Sequence, residues 1–185
     1  MLCSPRASPK KTFPRVPLYD SLMTLPAAIQ ALEDLAGDPR TGLPEDLFLF
    51  ASRITPLVNV DLLIQDQDHR TLLTWRSDSH YGSGWHIPGG VIRYQETACH
   101  RLHEVARLEL GASVDFEPAP IAVMESMAPT RNRGHFISLL YRCRLTSTLD
   151  PQRAAAVPPA PGTWRWHPRP PEDLLPVHHM YRGFL

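Results

Sequence analysis

A glycine pair followed by an amphipathic helix is the sequence feature that most constrains this fold. Gly89-Gly90 can form a tight turn that approaches neighbouring backbone closely, because glycine has no side chain. Residues Thr97 to Leu110 then carry apolar side chains at helical spacing, with Thr97 as the N-terminal cap. Gly111 follows directly and predicts the helix end. The segment therefore predicts a loop–helix–loop unit whose turn packs against one helix face.

Short apolar runs on both sides of this unit predict β-strands. Residues 66–69 separate two such runs, and we interpret them as a hairpin loop. Residues 81–84 predict a flexible loop. Strands mixed with helices at this density predict an α/β or α+β sandwich. The predicted strands are Leu57 to Ile64, Thr71 to Trp75, Ile121 to Met124, Phe136 to Cys143 and Thr163 to Trp166.

Residues 1–43 form a predicted N-terminal extension, and residues 44–185 form the predicted domain. Up to about residue 20 the extension is rich in proline and basic residues, which predicts a disordered tail, with an organelle transit peptide as the alternative. Helical spacing then predicts a short helix from Thr24 to Ala36. Residues Pro44 to Arg53 predict another short helix at the start of the domain.

Charge and cysteine content exclude several classes of function. The 19 basic and 19 acidic residues balance, so a nucleic-acid partner is not expected. No apolar stretch reaches the roughly 20 residues of a membrane span. The 3 cysteines form no CxxC pair, which argues against a disulfide framework and favours a reducing, cytoplasmic compartment.

The loop–helix–loop unit resembles the Nudix box, which holds magnesium against a diphosphate. Gly90, Glu96, Glu109 and Gly111 stand at the family's spacing. The resemblance implies an α/β/α sandwich with a mixed β-sheet. It also implies that Mg²⁺, or Mn²⁺ in its place, is held by the backbone carbonyl of Gly90 and the carboxylate of Glu109. Magnesium prefers such oxygen ligands and usually keeps several waters.

Two apolar residues in the box narrow the resemblance to one subfamily. Val105 and Leu108 stand where the ordinary box has glutamates, so a site with several metal ions is not expected. The chain is similar in this respect to the GDP-mannose mannosyl hydrolases, which use one magnesium ion and direct water to the sugar carbon. Residues 53–61 and 72–76 also resemble segments of that subfamily. The implied function is magnesium-dependent hydrolysis of a nucleotide sugar such as GDP-mannose, with release of the nucleoside diphosphate.

The resemblance implies catalytic roles for Asp61, Arg76 and His135. Arg76 would also contact the substrate diphosphate, and we add Trp85 and Arg131 as candidate substrate-binding residues. Each has a plainer interpretation. Asp61 could face a loop, Arg76 could be a solvated arginine, and tryptophan is most often a core residue. The loop from Arg131 to Arg133 fits either a phosphate clamp or a solvated turn.

The Gln-His pair that supplies metal ligand and general base in the mannosyl hydrolases is missing from the corresponding loop, residues 150–163. His135, His86 and Glu125 are candidate substitutes for the base. If none of them serves, the alternative is a Nudix domain that binds a nucleotide ligand without hydrolysing it. The expected partner is a small molecule in either case, and assembly as a homodimer is left open.

Overall fold

A computed structural model of the protein describes residues 23–129 and 132–185. The predicted tail up to about residue 20 and the candidate Arg131 lie outside the described residues. The chain divides into two units, of which the first ends at Gly37 and the second spans Asp38–Leu185. In the first unit, helix α1 (Leu25–Ala36) begins after Thr24, as predicted, with the Thr24 hydroxyl accepting a hydrogen bond from an amide of the first turn.

The second unit contains two further α-helices, α2 (Glu45–Ala51) and α3 (Ala98–Val105). Short 3-10 turns span Pro39–Thr41, Pro151–Arg153 and Pro176–Tyr181. None of the helices among the described residues has the length and apolar character needed to cross a membrane. The strands are β1 (Leu57–Ile64), β2 (Thr71–Asp78), β3 (Gly82–His86), β4 (Gly89–Val91), β5 (Val114–Phe116), β6 (Ala122–Met127), β7 (His135–Leu145) and β8 (Trp164–His167).

The strands form two sheets. In the 5-stranded sheet, β1 pairs in parallel with β7 and antiparallel with β4, while β5 and β6 pair antiparallel with different parts of β7. The 3-stranded sheet is antiparallel in the order β3-β2-β8. The larger sheet is therefore mixed, and the predicted α/β class with a mixed sheet is confirmed.

The predicted hairpin loop between β1 and β2 closes only at its tip and forms a corner, because the two strands belong to different sheets. One bridge joins Gln65 to Thr71, after which the strands separate. Asp66 stabilises the corner by accepting hydrogen bonds from the amides of Asp68 and Arg70. Two neighbouring apolar runs look alike in sequence whether their strands pair or enter different sheets, so the pattern could not distinguish the two cases.

The predicted flexible loop at residues 81–84 lies mostly in β3, which pairs with β2. Gly84 allows this strand to pass close to the backbone, because a Cβ there would lie 2.5 Å from the carbonyl oxygen of Asp173. Glycine here serves close approach rather than flexibility, which corrects the prediction.

Two hydrophobic clusters lie on opposite sides of β1. Alternate residues Val60, Leu62 and Ile64 pack with α3, while Leu63 packs with the cluster that contains Tyr181 of the C-terminal turn. Because side chains alternate along a strand, Asp61 belongs to the same side as Leu63. This layering places an acidic side chain beneath the C-terminal turn, at the edge of the second cluster.

Candidate active site

The glycine pair lies between β1 and α3. Gly89 and Gly90 pair with Asp61 and Val60, and a Cβ on Gly89 would lie only 2.1 Å from Oδ1 of Asp61. A Cβ on Gly90 would lie 3.1 Å from Cγ2 of Val105 on α3. The turn thus approaches both neighbours closely, as the sequence predicted, and it brings the Asp61 carboxylate beside the backbone of the turn.

The helix of the loop–helix–loop unit changes its winding before it ends. Thr97 caps α3, but residues Ala106–Leu110 form a π-helical turn, and Gly111 ends it with φ of 62°. The cap and the terminating glycine are confirmed, whereas a regular α-helix through Leu110 is not. Single π turns often occur at functional sites. This one carries Glu109 and orients its carboxylate toward the glycine pair.

Groups on strands β2 and β4 hold the Glu109 carboxylate. Its carboxylate accepts hydrogen bonds from the Thr74 hydroxyl at 3.0 Å and from the Gly89 amide at 3.4 Å. The same hydroxyl lies 3.0 Å from Nε2 of His86, so its single proton serves only one of them at a time. Burial raises the pKa of Glu109 to about 7 despite these hydrogen bonds. The carboxyl therefore exchanges its proton near neutral pH.

Glu96 organises the turn instead of lining the site. Burial opposes its charge, but hydrogen bonds from the Arg93 amide, His100 and Arg101 lower its pKa. The Arg101 guanidinium binds the two carboxylate oxygens at 2.8 Å each, and the Glu96 side chain is 7% exposed. This charge-assisted pair ties the loop to α3, so Glu96 is a positioning residue.

Asp61 is almost fully buried, with 3% of its surface exposed. The Tyr181 hydroxyl donates to its Oδ2 at 2.6 Å, from the C-terminal turn. Burial raises the pKa of Asp61 to about 6, while hydrogen bonds from Tyr181 and Ser138 act in the opposite direction. Asp61 also lines a small cavity of about 80 Å³ with Arg76, so the alternative of a loop-facing acid does not hold.

Arg76 lies at the mouth of this cavity. Its Nε contacts Oδ2 of Asp78 at 2.7 Å, and its guanidinium stands 5.2 Å from the centre of the Tyr81 ring. A second cavity, lined by Thr74, Asp78 and Glu109, shares Arg76 with the first. Arg76 therefore reaches both the Asp61 and the Glu109 sides of the site.

Two buried histidines complete the first cavity. His86 and His178 both line it, with ring centres 5.5 Å apart. Burial lowers the pKa of His86 to about 4 and that of His178 well below its ordinary value, so both are neutral at pH 7. Nδ1 of His178 is buried and has no hydrogen-bond partner among the described residues. The sequence prediction gave His178 no role, although the pair Val177-His178 resembles the C-terminal residues of the mannosyl hydrolases.

His135 and Trp85 lie outside the lining of the site. His135 begins β7, and its Nε2 contacts Oε1 of Glu125 at 3.0 Å, so these two candidate bases pair with each other. Trp85 is 2% exposed and packs edge-on against Trp75 and His167. A ring that stacks on a nucleotide needs an open face, so the structure corrects Trp85 to a core residue.

The fold and the glycine-turn unit together define a protein of the Nudix class. The profile of the NUDIX domain family matches residues 55–180, which is more than half of the chain. The chain belongs to this family. The match includes the glycine pair, Asp61, Arg76, Glu109 and His178.

Individual proteins resemble this chain in sequence or in fold. Low-salt glycan biosynthesis protein Agl8 from Haloferax volcanii is 35% identical over 82 residues, or 44% of this chain. The chain spans about half of that relative, 52% of its length. A MutT Nudix hydrolase from Burkholderia pseudomallei has a TM-score of 0.55 and 19% identity, over 71% of this chain and 98% of its own. A MutT protein from Methanosarcina mazei has a TM-score of 0.52 and 15% identity, over 70% and 91% of the two chains.

Nudix hydrolases generally use divalent metal ions, and the residues here fit one such ion with few protein ligands. Glu109 offers a carboxylate beside the backbone of Gly89 and Gly90. Within residues 23–129 and 132–185, no group of three or more His, Cys, Asp or Glu side chains could hold an ion. This donor set fits a magnesium or manganese ion that keeps most of its waters, and it does not fit a closed cage.

Proposed function

We propose that the chain is a magnesium-dependent hydrolase that releases a nucleoside diphosphate from a nucleotide sugar, with GDP-mannose as the first candidate. The observation that carries the proposal is the gathering of Asp61, Arg76 and His178 on one cavity beside the glycine turn. Glu109 lies across the same turn. Buried ionisable groups that converge on a cavity are the usual mark of a catalytic site.

Two observations support a sugar-linked substrate. The relative from Haloferax volcanii carries glycan biosynthesis in its name. Val105 and Leu108 leave the box helix without the glutamates that gather further metal ions in the ordinary box. With a single metal, the simplest role for the site is to stabilise a departing diphosphate instead of activating water at phosphorus.

In the proposed reaction, water attacks the anomeric carbon of the sugar. The bond from that carbon to the diphosphate oxygen breaks, and the bonding electron pair leaves with the oxygen. Arg76 binds the diphosphate as its charge develops, and Asp61 stabilises the positive charge on the sugar. A bound magnesium ion would contribute further neutralisation of the diphosphate. The configuration at the sugar carbon inverts.

We assign the proton acceptor in this step to His178 in place of His135. His178 is neutral, lines the cavity and has an unpartnered ring nitrogen among the described residues. His135 is engaged by Glu125 and does not line that cavity. General-base catalysis contributes roughly 10²- to 10⁴-fold. His178→Ala should therefore lower turnover by about that factor, while the matched variant His135→Ala should lower it far less.

A nucleotide-binding domain without turnover is the second candidate. It is favoured by the scarcity of metal ligands and by the pKa of Glu109, raised by burial to about 7, which leaves the carboxyl partly protonated at neutral pH. This candidate predicts that the full chain binds nucleoside diphosphates and hydrolyses no nucleotide sugar.

The test is a screen of nucleotide sugars and dinucleotides with Mg²⁺, in which products are separated by chromatography. An active substrate is then hydrolysed in ¹⁸O-labelled water. Label in the sugar, with inverted configuration, is the expected result. Label in the nucleotide phosphate would contradict attack at carbon, and binding without product would favour the second candidate.

A further inference from the structure

Arg133 adopts a backbone conformation that is unusual for its residue type. Its φ is 53°, in the left-handed region where a side chain is unfavourable. The conformation is held from the neighbouring helix end, because the Arg133 amide donates to Oγ of Ser52 at 3.0 Å. That hydroxyl in turn donates to the carbonyl of Leu49. Glycine would adopt this backbone conformation with less strain. The presence of arginine at this position therefore indicates a role for its side chain.

Among the described residues the Arg133 guanidinium makes no salt bridge with a carboxylate, although its charge helps to lower the pKa of Asp78. The guanidinium stands 5.0 Å from the ring centre of Phe48 and 5.6 Å from that of Tyr81. Its Nε is buried without a hydrogen-bond partner, and in the part of the chain that the structure describes it has no salt bridge. A buried guanidinium nitrogen without an acceptor is costly, so an anion that binds here would satisfy it.

Arg76 brings a second guanidinium to the same tyrosine ring. The nearest carboxylate, Asp78, is already engaged. Its Oδ1 accepts the amides of His80 and Tyr81, and its Oδ2 contacts Arg76. One carboxylate therefore faces two guanidiniums, while the other carboxylate that lines the cavity, Asp61, is buried against the Tyr181 hydroxyl. Two guanidinium groups at the mouth of one cavity suit a ligand with two phosphates.

A larger cavity adjoins this mouth. It has a volume of about 750 Å³ and shares Tyr81, Arg133 and Val177 with the first cavity. Apolar side chains such as Met127 and Pro129 contribute to its lining. Concave sites of several hundred Å³ with mixed apolar and polar walls are the usual sites for small ligands.

We propose that Arg133 is the second arginine of a diphosphate clamp, and that the adjoining cavity holds the nucleoside. This inference rests on the proposed function, because it orients the nucleoside diphosphate. Arg76 binds the phosphate next to the sugar, Arg133 binds the phosphate next to the nucleoside, and Tyr81 lies between the two guanidiniums.

The test is calorimetric binding of GDP and of inorganic pyrophosphate to the full chain with Mg²⁺. Loss of charge-assisted hydrogen bonds should make Arg133→Ala bind both ligands roughly 10- to 100-fold more weakly. Arg133→Gly should lose the same affinity. Glycine suits the positive φ, so relief of strain offsets the lost packing on Phe48. The melting temperature of Arg133→Gly should therefore stay near that of the wild type. Arg107→Ala is the control, since Arg107 is exposed on the box helix and pairs with Glu104.

Four outcomes are informative. Weaker binding of both ligands by the two Arg133 variants, with Arg107→Ala unchanged, supports the clamp. Wild-type affinity in Arg133→Ala overturns the clamp, and equal affinity of the wild type for GDP and pyrophosphate overturns the nucleoside cavity. If the wild type binds no nucleoside diphosphate, the proposed function itself fails.

Discussion

Replacing Asp61 by asparagine tests how much stability the protein loses by keeping the Asp61 carboxylate buried. Burial raises the pKa of Asp61 from 3.8 to about 6, against the hydrogen bonds from Tyr181 and Ser138. A shift of this size corresponds to about 3 kcal/mol between the two protonation states. The charged form of Asp61 therefore lowers the free energy of unfolding by up to about 3 kcal/mol.

The sign of the effect sets the pH window. Because its pKa is higher in the folded protein, Asp61 holds its proton more tightly when folded than when unfolded. Its contribution makes the protein less stable as the pH rises from about 4 to about 6, after which the penalty is constant. Asparagine has no charge to bury and can still accept the hydrogen bond from Tyr181. Asp61→Asn should therefore gain stability relative to the wild type across that window.

The measurement is urea unfolding of both proteins in EDTA at several pH values between 4 and 7.5. The stability difference between variant and wild type should grow by about 2.5 kcal/mol from the lowest to the highest pH, while activity is lost. Asp115→Asn is the control, because Asp115 is exposed and its pair with Arg144 contributes little at any pH. A stability difference for Asp61→Asn that does not change with pH would refute the argument.

Three further substitutions test contacts of the site. Glu109→Gln should lower magnesium-dependent turnover about 100-fold with little change in melting temperature, and unchanged turnover would remove Glu109 from the site. Tyr181→Phe should cost about 1–3 kcal/mol of urea-unfolding free energy at pH 7.5, and no loss would contradict the hydrogen bond to Asp61. Gly89→Ala should lower the melting temperature or prevent folding, since its Cβ would lie 2.1 Å from Asp61, whereas Gly183→Ala, with open space, should not.

The sequence by itself determined the local parts of the site. The Thr97 cap and Gly111 predicted the ends of the box helix, because capping depends on residues within one turn. The glycine pair predicted a close backbone approach, and the structure shows it between β1 and α3. Asp61 lies inside an apolar run of the sequence, where a carboxylate is costly without a partner. These signals all come from residues near one another in the chain.

Only the tertiary structure decided which groups meet. The hydroxyl that binds Asp61 comes from Tyr181, 120 residues later, and His178 reaches the same cavity from the same C-terminal turn. The corner after β1 and the burial of Trp85 likewise depend on how two sheets pack. No periodicity or spacing records such long-range contacts, because each depends on the packing of elements distant in sequence. The sequence prediction therefore assigned the catalytic role to His135, while packing brought His178 to the cavity.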